Sequence, residues 1–288
     1  MKKCLSCACD FDAPLWRCPS CSWQPALIDG RPAFAVALAE QNSGFSSEYF
    51  ARLSEVESGH FWFESRNQLL MWALKKYFPG MHSLLEIGCG TAFVLTGVGR
   101  MFPDVRLAGS EVFREGLSFA ATRVPTAELF QMDAREIPFV DEFDVIGAFD
   151  VIEHIEEDED VLRQMHHAVK PGGGIILTVP QHRWLWSAVD DYSYHKRRYT
   201  RRELTEKVER AGFRIVCVTS FITLLLPLFM ASRYRYKRAK SFDSESEVRL
   251  GAALNRVLTA VLSFERLLIR IGVSMPAGGS LLLVARRE

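Results

Sequence analysis

Short apolar segments alternate with helical stretches through the middle of the chain. Residues 83–87, 105–110, 127–131 and 143–149 are largely apolar and have the length of buried strands. Helical segments separate these runs. Because strands that alternate with helices form parallel sheets covered by helices on both faces, the pattern predicts a doubly wound α/β domain.

Further segments extend this pattern toward both ends of the chain. Helical periodicity over 46–78 stops at Pro79-Gly80, and a fifth strand is expected to end near Val179. Apolar runs at 213–220 and 280–286 predict a sixth strand and a closing strand. The expected organisation is a small module at 1–30, a linker with helices at 31–80, a sheet domain at 81–220 and 280–288, and a helical insertion or lid at 221–279.

The insertion opens with an apolar run beside a basic cluster. Residues 221–230 are apolar. Five basic residues follow them: Arg233, Arg235, Lys237, Arg238 and Lys240. This combination suits an interfacial segment on an anionic membrane, a site for an acceptor with a lipid tail and a phosphate, or a core helix followed by a solvated charge run. Residues 251–271 are amphipathic and are expected to pack over the mouth of the site or against another subunit.

The charges of the chain balance. Its 288 residues include 35 Lys and Arg against 35 Asp and Glu, which excludes a uniformly basic surface for nucleic acid. The net charge of zero is the sum of separate acidic and basic segments. Acids are concentrated at 153–160, and bases at 196–202 and 233–240. Apolar residues make up 48% of the chain, enough for a core and inconsistent with general disorder.

Cysteines concentrate at the amino terminus. Two Cys-x-x-Cys pairs, Cys4 with Cys7 and Cys18 with Cys21, can present four thiolates to one tetrahedral zinc ion. Cys9 is a fifth thiol that could replace Cys7. A redox pair or unbound thiols are the alternative. A module this small cannot bury a core alone, so the spacing predicts a structural Zn²⁺ that supplies the folding energy.

The amino terminus lacks the long apolar stretch of a signal peptide. The longest uncharged apolar run is about half of what spans a bilayer. We therefore expect a cytoplasmic protein, with peripheral contact to the inner face of the membrane as an option.

Glycine or acidic residues terminate four successive predicted strands. The first is followed by Gly88-Cys89-Gly90, where a ligand can approach the backbone closely. The next three end in Glu111, Asp133 and Asp150. Because ligands of open α/β sheets lie outside the carboxyl ends of the strands, these residues are expected to line one crevice.

The ordered motifs resemble those of the class I S-adenosylmethionine-dependent methyltransferases, of the type 11/12 kind. The matching segments are Leu85-Glu86-Ile87-Gly88-Cys89-Gly90-Thr91, Glu111, Gln131-Met132-Asp133-Ala134, and residues 143–146, 150–155 and 169–173. The resemblance implies a Rossmann-like, seven-stranded methyltransferase sheet, here with a zinc ribbon before it and an insertion before the last, antiparallel strand. Ala92 stands where many members have a third glycine. NAD, the competing ligand, is disfavoured because Phe93 breaks the Gly-x-Gly-x-x-Gly pattern.

The resemblance implies specific contacts with S-adenosylmethionine. Gly88 and Gly90 would let the backbone pass its methionine portion, and Glu86 would orient the loop or the ammonium group. Glu111 would accept hydrogen bonds from both ribose hydroxyls, and Asp133 would accept one from the adenine amino group. The expected cofactor-binding residues are Glu86, Gly88, Cys89, Gly90, Glu111, Asp133, Ala134 and Asp150.

Two histidines are candidate catalytic bases. Methyl transfer to a hydroxyl or carbon acceptor requires alignment and removal of a proton, which His154 or His195 could accept. His154 could instead bond a backbone group or pack under the cofactor. Some relatives, including quinone-biosynthesis and small-RNA methyltransferases, bind a divalent cation through an acid-x-x-Glu-His group, and Asp150, Glu153 and His154 have that form. Residues 180–204 mix aromatic, acidic and basic groups and are expected to form the acceptor site, or else a loop that covers the sheet.

The favoured function is methyl transfer to a small-molecule or lipid- or glycan-linked acceptor. An RNA methyltransferase with a zinc module is one alternative, against which the zero net charge and the apolar insertion count. A zinc-ribbon docking protein that binds the cofactor without catalysis is the other. The sequence leaves the acceptor atom and the oligomeric state open.

Overall fold

The computed structural model describes residues 1–40, 47–237 and 250–288. Ser46, from the predicted helical segment, and Arg238 and Lys240, from the predicted basic cluster, lie outside these residues. The strands of the described chain are β1 (Lys2–Lys3), β2 (Asp10–Phe11), β3 (Ala26–Ile28), β4 (Arg31–Ala33), β5 (Ser83–Ile87), β6 (Arg106–Glu111), β7 (Glu128–Gln131), β8 (Phe143–Phe149), β9 (Val169–Pro180), β10 (Phe213–Phe221) and β11 (Ser280–Arg287). The helices are α1 (Val36–Glu40), α2 (Ser47–Val56), α3 (Phe61–Tyr77), α4 (Phe93–Met101), α5 (Arg114–Arg123), α6 (Asp158–Ala168), α7 (Ala188–Tyr192), α8 (Arg201–Arg210), α9 (Leu226–Lys237) and α10 (Ala252–Arg270).

The main sheet has the strand order β10-β11-β9-β8-β5-β6-β7-β4-β3. Strands β9, β8, β5, β6 and β7 are parallel, and β11 lies antiparallel between β9 and β10. The Rossmann-like α/β fold is therefore confirmed, and all seven predicted strands are present. The reversal of strand order between β5 and β6 on one side and β8 on the other opens the crevice that an open α/β sheet uses for ligands.

The strand count differs from the expected seven because a hairpin extends the sheet. Strands β3 and β4 pair with each other, and β4 runs parallel to β7 with Ala33 opposite Gln131. The Gln131 side chain joins them further, accepting from the Ala35 N–H at 2.9 Å and donating to the Ala35 carbonyl at 2.8 Å. The hairpin crosses the expected module boundary at residue 30. The sequence did not predict it, because its strands are too short to show a periodic pattern.

The core consists of two apolar layers, one on each face of the sheet. Successive residues of a strand point to opposite faces, so Val145 and Ile146 of β8 enter different layers. One layer packs under α6 and α8, and the other under α3, α4 and α10. Burial of each such side chain contributes roughly 1.5–3 kcal/mol. Both faces of the central strands are therefore covered, as a parallel sheet requires.

The cysteine-rich module packs on the β7 edge of the sheet. The ring of Trp16 contacts Phe34, Phe130 and Phe139 edge-on, with centroids 4.7, 6.0 and 5.3 Å away. The Lys3 N–H donates to the Pro138 carbonyl at 2.9 Å. The module therefore rests on the same domain that carries the crevice.

The insertion contributes two helices with different neighbours. Helix α10 packs along α3, and its buried Glu265 accepts hydrogen bonds from the backbone N–H groups of residues 222–224 at 2.6–2.8 Å. The predicted apolar run at 221–230 is therefore divided between the end of β10, a turn and the first turns of α9. Within the described ranges, no helix has both the length and the apolar character needed to cross a membrane.

Candidate active site

A cavity of about 680 Å³ opens at the carboxyl ends of the central strands. Its wall contains the loop after β5 and the ends of β6, β7 and β8, as the strand-end pattern predicted. All eight expected cofactor-binding residues line it: Glu86, Gly88, Cys89, Gly90, Glu111, Asp133, Ala134 and Asp150. The two candidate bases, His154 and His195, line it as well. Its size is that of a site for a small molecule.

The glycine loop adopts a backbone that side chains would disturb. Gly88 and Gly90 have φ of 63° and 52°, in the left-handed region. A Cβ atom on Gly88 would stand 2.6 Å from Val151, so glycine is required there for space as well. Ala92, which replaces the family's third glycine, takes φ of 60° at the start of α4. Its methyl group is fully buried, so the substitution leaves the loop and helix closely packed.

Glu111 connects the second strand to the glycine loop. One carboxylate oxygen accepts from the Gly90 N–H at 3.0 Å, and the other accepts from Val112 and Phe113 at 2.8 and 3.2 Å. Burial raises the pKa of Glu111, and these three donors oppose that rise. The carboxylate is thus held at the cavity wall with lone pairs left for further donors.

Asp133 is held by an arginine that sequence reasoning missed. The guanidinium of Arg135 contacts both carboxylate oxygens of Asp133 at 2.8–3.1 Å and reaches Glu157 at 2.9 Å. The Arg135 N–H adds a bond to Asp133 at 2.9 Å. Because Arg135 follows Asp133 by only two residues in a turn, no helix or strand periodicity pointed to this pair.

Asp150 is held by a second unpredicted arginine, Arg66 on α3. Arg66 forms an ion pair with Asp150 and stacks on Trp62 with its guanidinium 4.5 Å from the ring centroid. Burial raises the pKa of the neighbouring Glu86 to about 8, against the opposing charge of Arg66. One oxygen of Glu86 has no hydrogen-bond partner within the described chain. The site therefore holds a buried acid that a cationic ligand would stabilise in its charged form.

The two candidate bases lie side by side. The ring centroids of His154 and His195 are 4.8 Å apart. Nδ1 of His195 lies 2.9 Å from Oδ1 of Asp190, and Arg198 donates to the same oxygen at 2.7 Å. Burial raises the pKa of Asp190, but His195 and Arg198 outweigh that effect and hold it at about 2. Asp190 is therefore a carboxylate that orients the His195 ring, a partner that spacing alone did not reveal.

Glu153 points into the same group. It is fully buried, and neither carboxylate oxygen has a hydrogen-bond partner in the described residues. Glu153, His154 and His195 each offer a ligand atom within 4.8 Å of the others, an arrangement that can hold a metal ion. Asp150 does not belong to this cluster and pairs with Arg66, whereas Glu153 and His154 of the acid-x-x-Glu-His set lie beside His195.

Helices outside the minimal sheet domain complete the cavity. Helix α2 contributes Tyr49 and Phe50, Glu57 follows it directly, and α9 contributes Phe229 and Arg233. No residue of α10 is among the described residues that line the cavity, so the insertion lines it through α9, Ile222 and Gly279. The segment after β9 contributes Lys196 and Arg198 beside His195, as expected for an acceptor region.

Four cysteine sulfurs of the amino-terminal module converge. The Sγ atoms of Cys4 and Cys21 are 3.6 Å apart, as are those of Cys7 and Cys18, and all four lie within 4.8 Å of one another. Sulfurs bound about 2.3 Å from one tetrahedral zinc ion would be about 3.8 Å apart, so the set fits zinc. Cys9 is not in the group and contacts the Asp10 carbonyl instead. The geometry therefore favours Cys7 over Cys9.

The strand order of the main sheet, together with the cavity at the point where that order reverses, places the fold in the class of Rossmann-like methyltransferases. The match to known families agrees, since residues 45–218 fit the family described as "Methyltransferase domain". The chain belongs to this family. Both the cysteine-rich module and the late insertion at 221–279 lie outside the matched residues.

Curated relatives cover only parts of the chain. A probable S-adenosylmethionine-dependent methyltransferase of Mycolicibacterium smegmatis is 26% identical over 163 residues, 54% of this chain and 60% of the relative. Phosphatidylethanolamine N-methyltransferase of Cereibacter sphaeroides is 33% identical over 101 residues, 33% of this chain and 48% of the relative. The chain thus spans about half the length of these two relatives.

Solved structures share the fold at low identity. Phosphoethanolamine N-methyltransferase 2 of Haemonchus contortus, in complex with S-adenosyl-L-methionine, matches 87% of this chain and 60% of its own with a TM-score of 0.59 and 17% identity. A possible histamine N-methyltransferase of Thermotoga maritima matches 88% of this chain and 99% of its own with a TM-score of 0.53 and 15% identity. At these identities the likeness concerns the fold alone.

Proposed function

We propose that the protein transfers a methyl group from S-adenosylmethionine to a small-molecule or lipid- or glycan-linked acceptor. The main support is that the glycine loop, Glu111 and Asp133 converge on one cavity that also contains His195. Family membership supports the same cofactor. Bound S-adenosylmethionine supplies an electrophilic methyl group on a sulfonium, and the protein's task is to align the acceptor with it.

The lining of the cavity fits a cationic cofactor with ribose hydroxyls. Glu86 is a buried acid, one of whose oxygens has no hydrogen-bond partner among the described residues, and Glu111 presents a positioned carboxylate. Gly88 has no side chain of its own, so a ligand can approach its backbone closely. Glu111 would bind the ribose hydroxyls, Asp133 would bind the adenine amino group, and Glu86 would stabilise the positive charge.

Within this proposal, His195 removes the acceptor proton. The Asp190 carboxylate accepts a hydrogen bond from Nδ1–H of His195. Nε2 of the same ring is then the atom that accepts the proton. The Asp190 carboxylate then stabilises the imidazolium that forms. His154 packs beside this ring and contributes to its placement.

The same residues support a second way of activating the acceptor. A divalent cation on Glu153, His154 and His195 would explain why a fully buried carboxylate has no partner among the described groups. Asp190 would orient the His195 ligand from behind, as carboxylates commonly do for metal-bound histidines. Chelation separates the two modes, because only the metal-dependent one loses turnover while cofactor binding persists.

The acceptor side of the cavity combines apolar and basic groups. Ile222 and Phe229 are apolar, and Lys196, Arg198 and Arg233 are basic. This lining suits an acceptor with an apolar portion and an anionic group, such as a phosphorylated lipid. It also supports peripheral contact with a membrane as part of the proposed function.

Transfer of labelled methyl groups to a panel of acceptors tests this proposal. We expect label in small molecules or in an extracted lipid fraction, with release of S-adenosylhomocysteine. Label in RNA, with binding that weakens steeply as salt rises, would instead favour the RNA alternative. Intact S-adenosylhomocysteine binding without turnover on any acceptor would favour the non-catalytic docking protein.

We assign the four clustered cysteines to a structural Zn²⁺, and we expect about one zinc ion per chain. Cys18→Ser/Cys21→Ser should remove the metal and unfold the module, because metal binding supplies its folding energy. Cys9→Ser is the matched control and should retain zinc, since Cys9 lies outside the cluster. Metal analysis with thermal unfolding checks both variants. A metal-free but fully folded native protein would exclude the zinc assignment.

A further inference from the structure

An apolar stripe on α10 is exposed. Five large residues, four in the helix and Ile271 directly after it, are between 48% and 69% exposed: Leu254, Val257, Phe264, Leu267 and Ile271. Helical spacing places them on one side of α10, next to the side that packs on the core through Leu258, Leu262 and Ile269. We call these five residues the α10 face. Large apolar side chains gathered on one exposed side of a helix are typical of an interaction surface.

Exposed apolar side chains also occur in the turn after β10 and on α9. Glu265 holds the turn at 222–224 against the middle of α10 through three backbone hydrogen bonds. Leu224 in this turn and Leu228 and Met230 on α9 are also exposed. The turn that leads into α9 is therefore fixed to α10, while Phe229 and Arg233 of α9 line the cavity.

The exposed charges on α10 are all positive. Glu265 is the sole acid of α10, and it is buried and occupied by the turn. Arg256 and Arg270 are exposed beside the apolar stripe. Two copies paired face to face would bring these arginines together, which disfavours self-association. Apolar side chains bordered by arginines suit a surface of anionic phospholipids, where the chains enter the interface and the guanidinium groups contact phosphates.

We propose that the α10 face and the adjoining start of α9 dock on an anionic membrane. α10 would lie in the interfacial plane, consistent with the absence of a membrane-crossing helix among the described residues. Docking would bring the α9 wall of the cavity close to the lipid surface, so a lipid-linked acceptor could reach the site. Only this consequence for the acceptor rests on the proposed methyl transfer. The earlier hypothesis placed membrane contact on residues 221–230 and the basic cluster after them, whereas the exposed apolar surface lies largely on α10.

Sedimentation with vesicles tests this proposal without cofactor or acceptor. The full chain should bind vesicles of phosphatidylcholine with about one-third phosphatidylglycerol, and bind phosphatidylcholine alone much more weakly. Val257→Glu/Leu267→Glu should reduce binding at least about tenfold, because two charges enter the stripe. Leu27→Glu is the matched control, because Leu27 is 70% exposed but lies on β3, away from the stripe. The control should bind like the native protein.

S-adenosylhomocysteine affinity and thermal unfolding, measured on both variants, show whether each remains folded. Arg256→Glu/Arg270→Glu is a second variant that leaves the apolar stripe intact and should also weaken binding to anionic vesicles. Equal binding by all variants, or no binding by the native protein, overturns the proposal. A dimer that Val257→Glu/Leu267→Glu dissociates, without vesicle binding, would assign the surface to a second copy. Because no turnover is measured, these outcomes are independent of the proposed methyl transfer.

Discussion

Glu111→Ala should weaken S-adenosylhomocysteine binding at least about a hundredfold, the loss expected when charge-assisted hydrogen bonds to two ribose hydroxyls disappear. The carboxylate also accepts from the Gly90 N–H at 3.0 Å, so its removal releases the glycine loop as well. Isothermal calorimetry measures the affinity directly. S-adenosylhomocysteine is the appropriate ligand because it keeps the ribose and adenine groups and cannot react.

Two further variants separate ribose binding from loop support. Glu111→Gln keeps the size of the side chain but offers one acceptor oxygen, so it should retain more loop order than alanine and still lose most affinity. Glu115→Ala, at an exposed acid in the first turn of α5, should bind like the native protein. Unchanged affinity in Glu111→Ala would refute the ribose assignment. Unfolding of both Glu111 variants would show that the residue acts on stability.

His195→Ala should lower turnover by about a hundredfold or more while S-adenosylhomocysteine binding persists, as expected for loss of a general base. Nδ1 of His195 is held 2.9 Å from Asp190, which prepares the ring to accept a proton at Nε2. Burial, and then the charge of His195, lower the pKa of His154 to about 3, so His154 is a weak base near neutral pH. His154→Ala should therefore have the smaller effect. The measurement is the rate of S-adenosylhomocysteine release with an acceptor identified by the panel.

His182, which lies in the same 180–204 segment as His195, provides the control. His182 stacks on Trp184 and is not among the residues that line the cavity, so His182→Ala should leave the rate near that of the native protein. An unaffected rate in His195→Ala would remove His195 from the mechanism. Equal losses in His154→Ala and His195→Ala, together with loss on chelation, would favour the cation on Glu153, His154 and His195 over a single base.

Much of the sheet domain follows from local pattern. The strands at 83–87 and 143–149 were predicted with the same bounds as the structure, because a buried parallel strand needs a short apolar run. Gly88 and Gly90 were predictable because a left-handed turn in close contact with a ligand needs glycine. The placement of Glu111 and Asp133 at one cavity followed from the strand ends they occupy.

The partners of these residues were not predictable in the same way. Arg66 meets Asp150 across 84 positions, and it lies on a helix before the first strand of the motif. The hairpin at β3 and β4 joins β7 across about a hundred residues, with strands of three residues each. Such contacts depend on how folded helices and strands pack against each other. No local periodicity in the sequence encodes that packing.

By itself, the sequence determined the α/β class, the positions of seven strands along the chain, the glycine loop, the acids at the strand ends and the spacing of the four amino-terminal cysteines. Each is a local property, because strand periodicity, turn conformation and thiolate spacing depend on neighbouring residues. Only the tertiary structure decided that Asp150 pairs with Arg66, that Asp190 orients His195 beside Glu153, and that α10 exposes an apolar stripe. These depend on which faces meet when helices and loops close on the sheet, since packing and burial are properties of the whole fold.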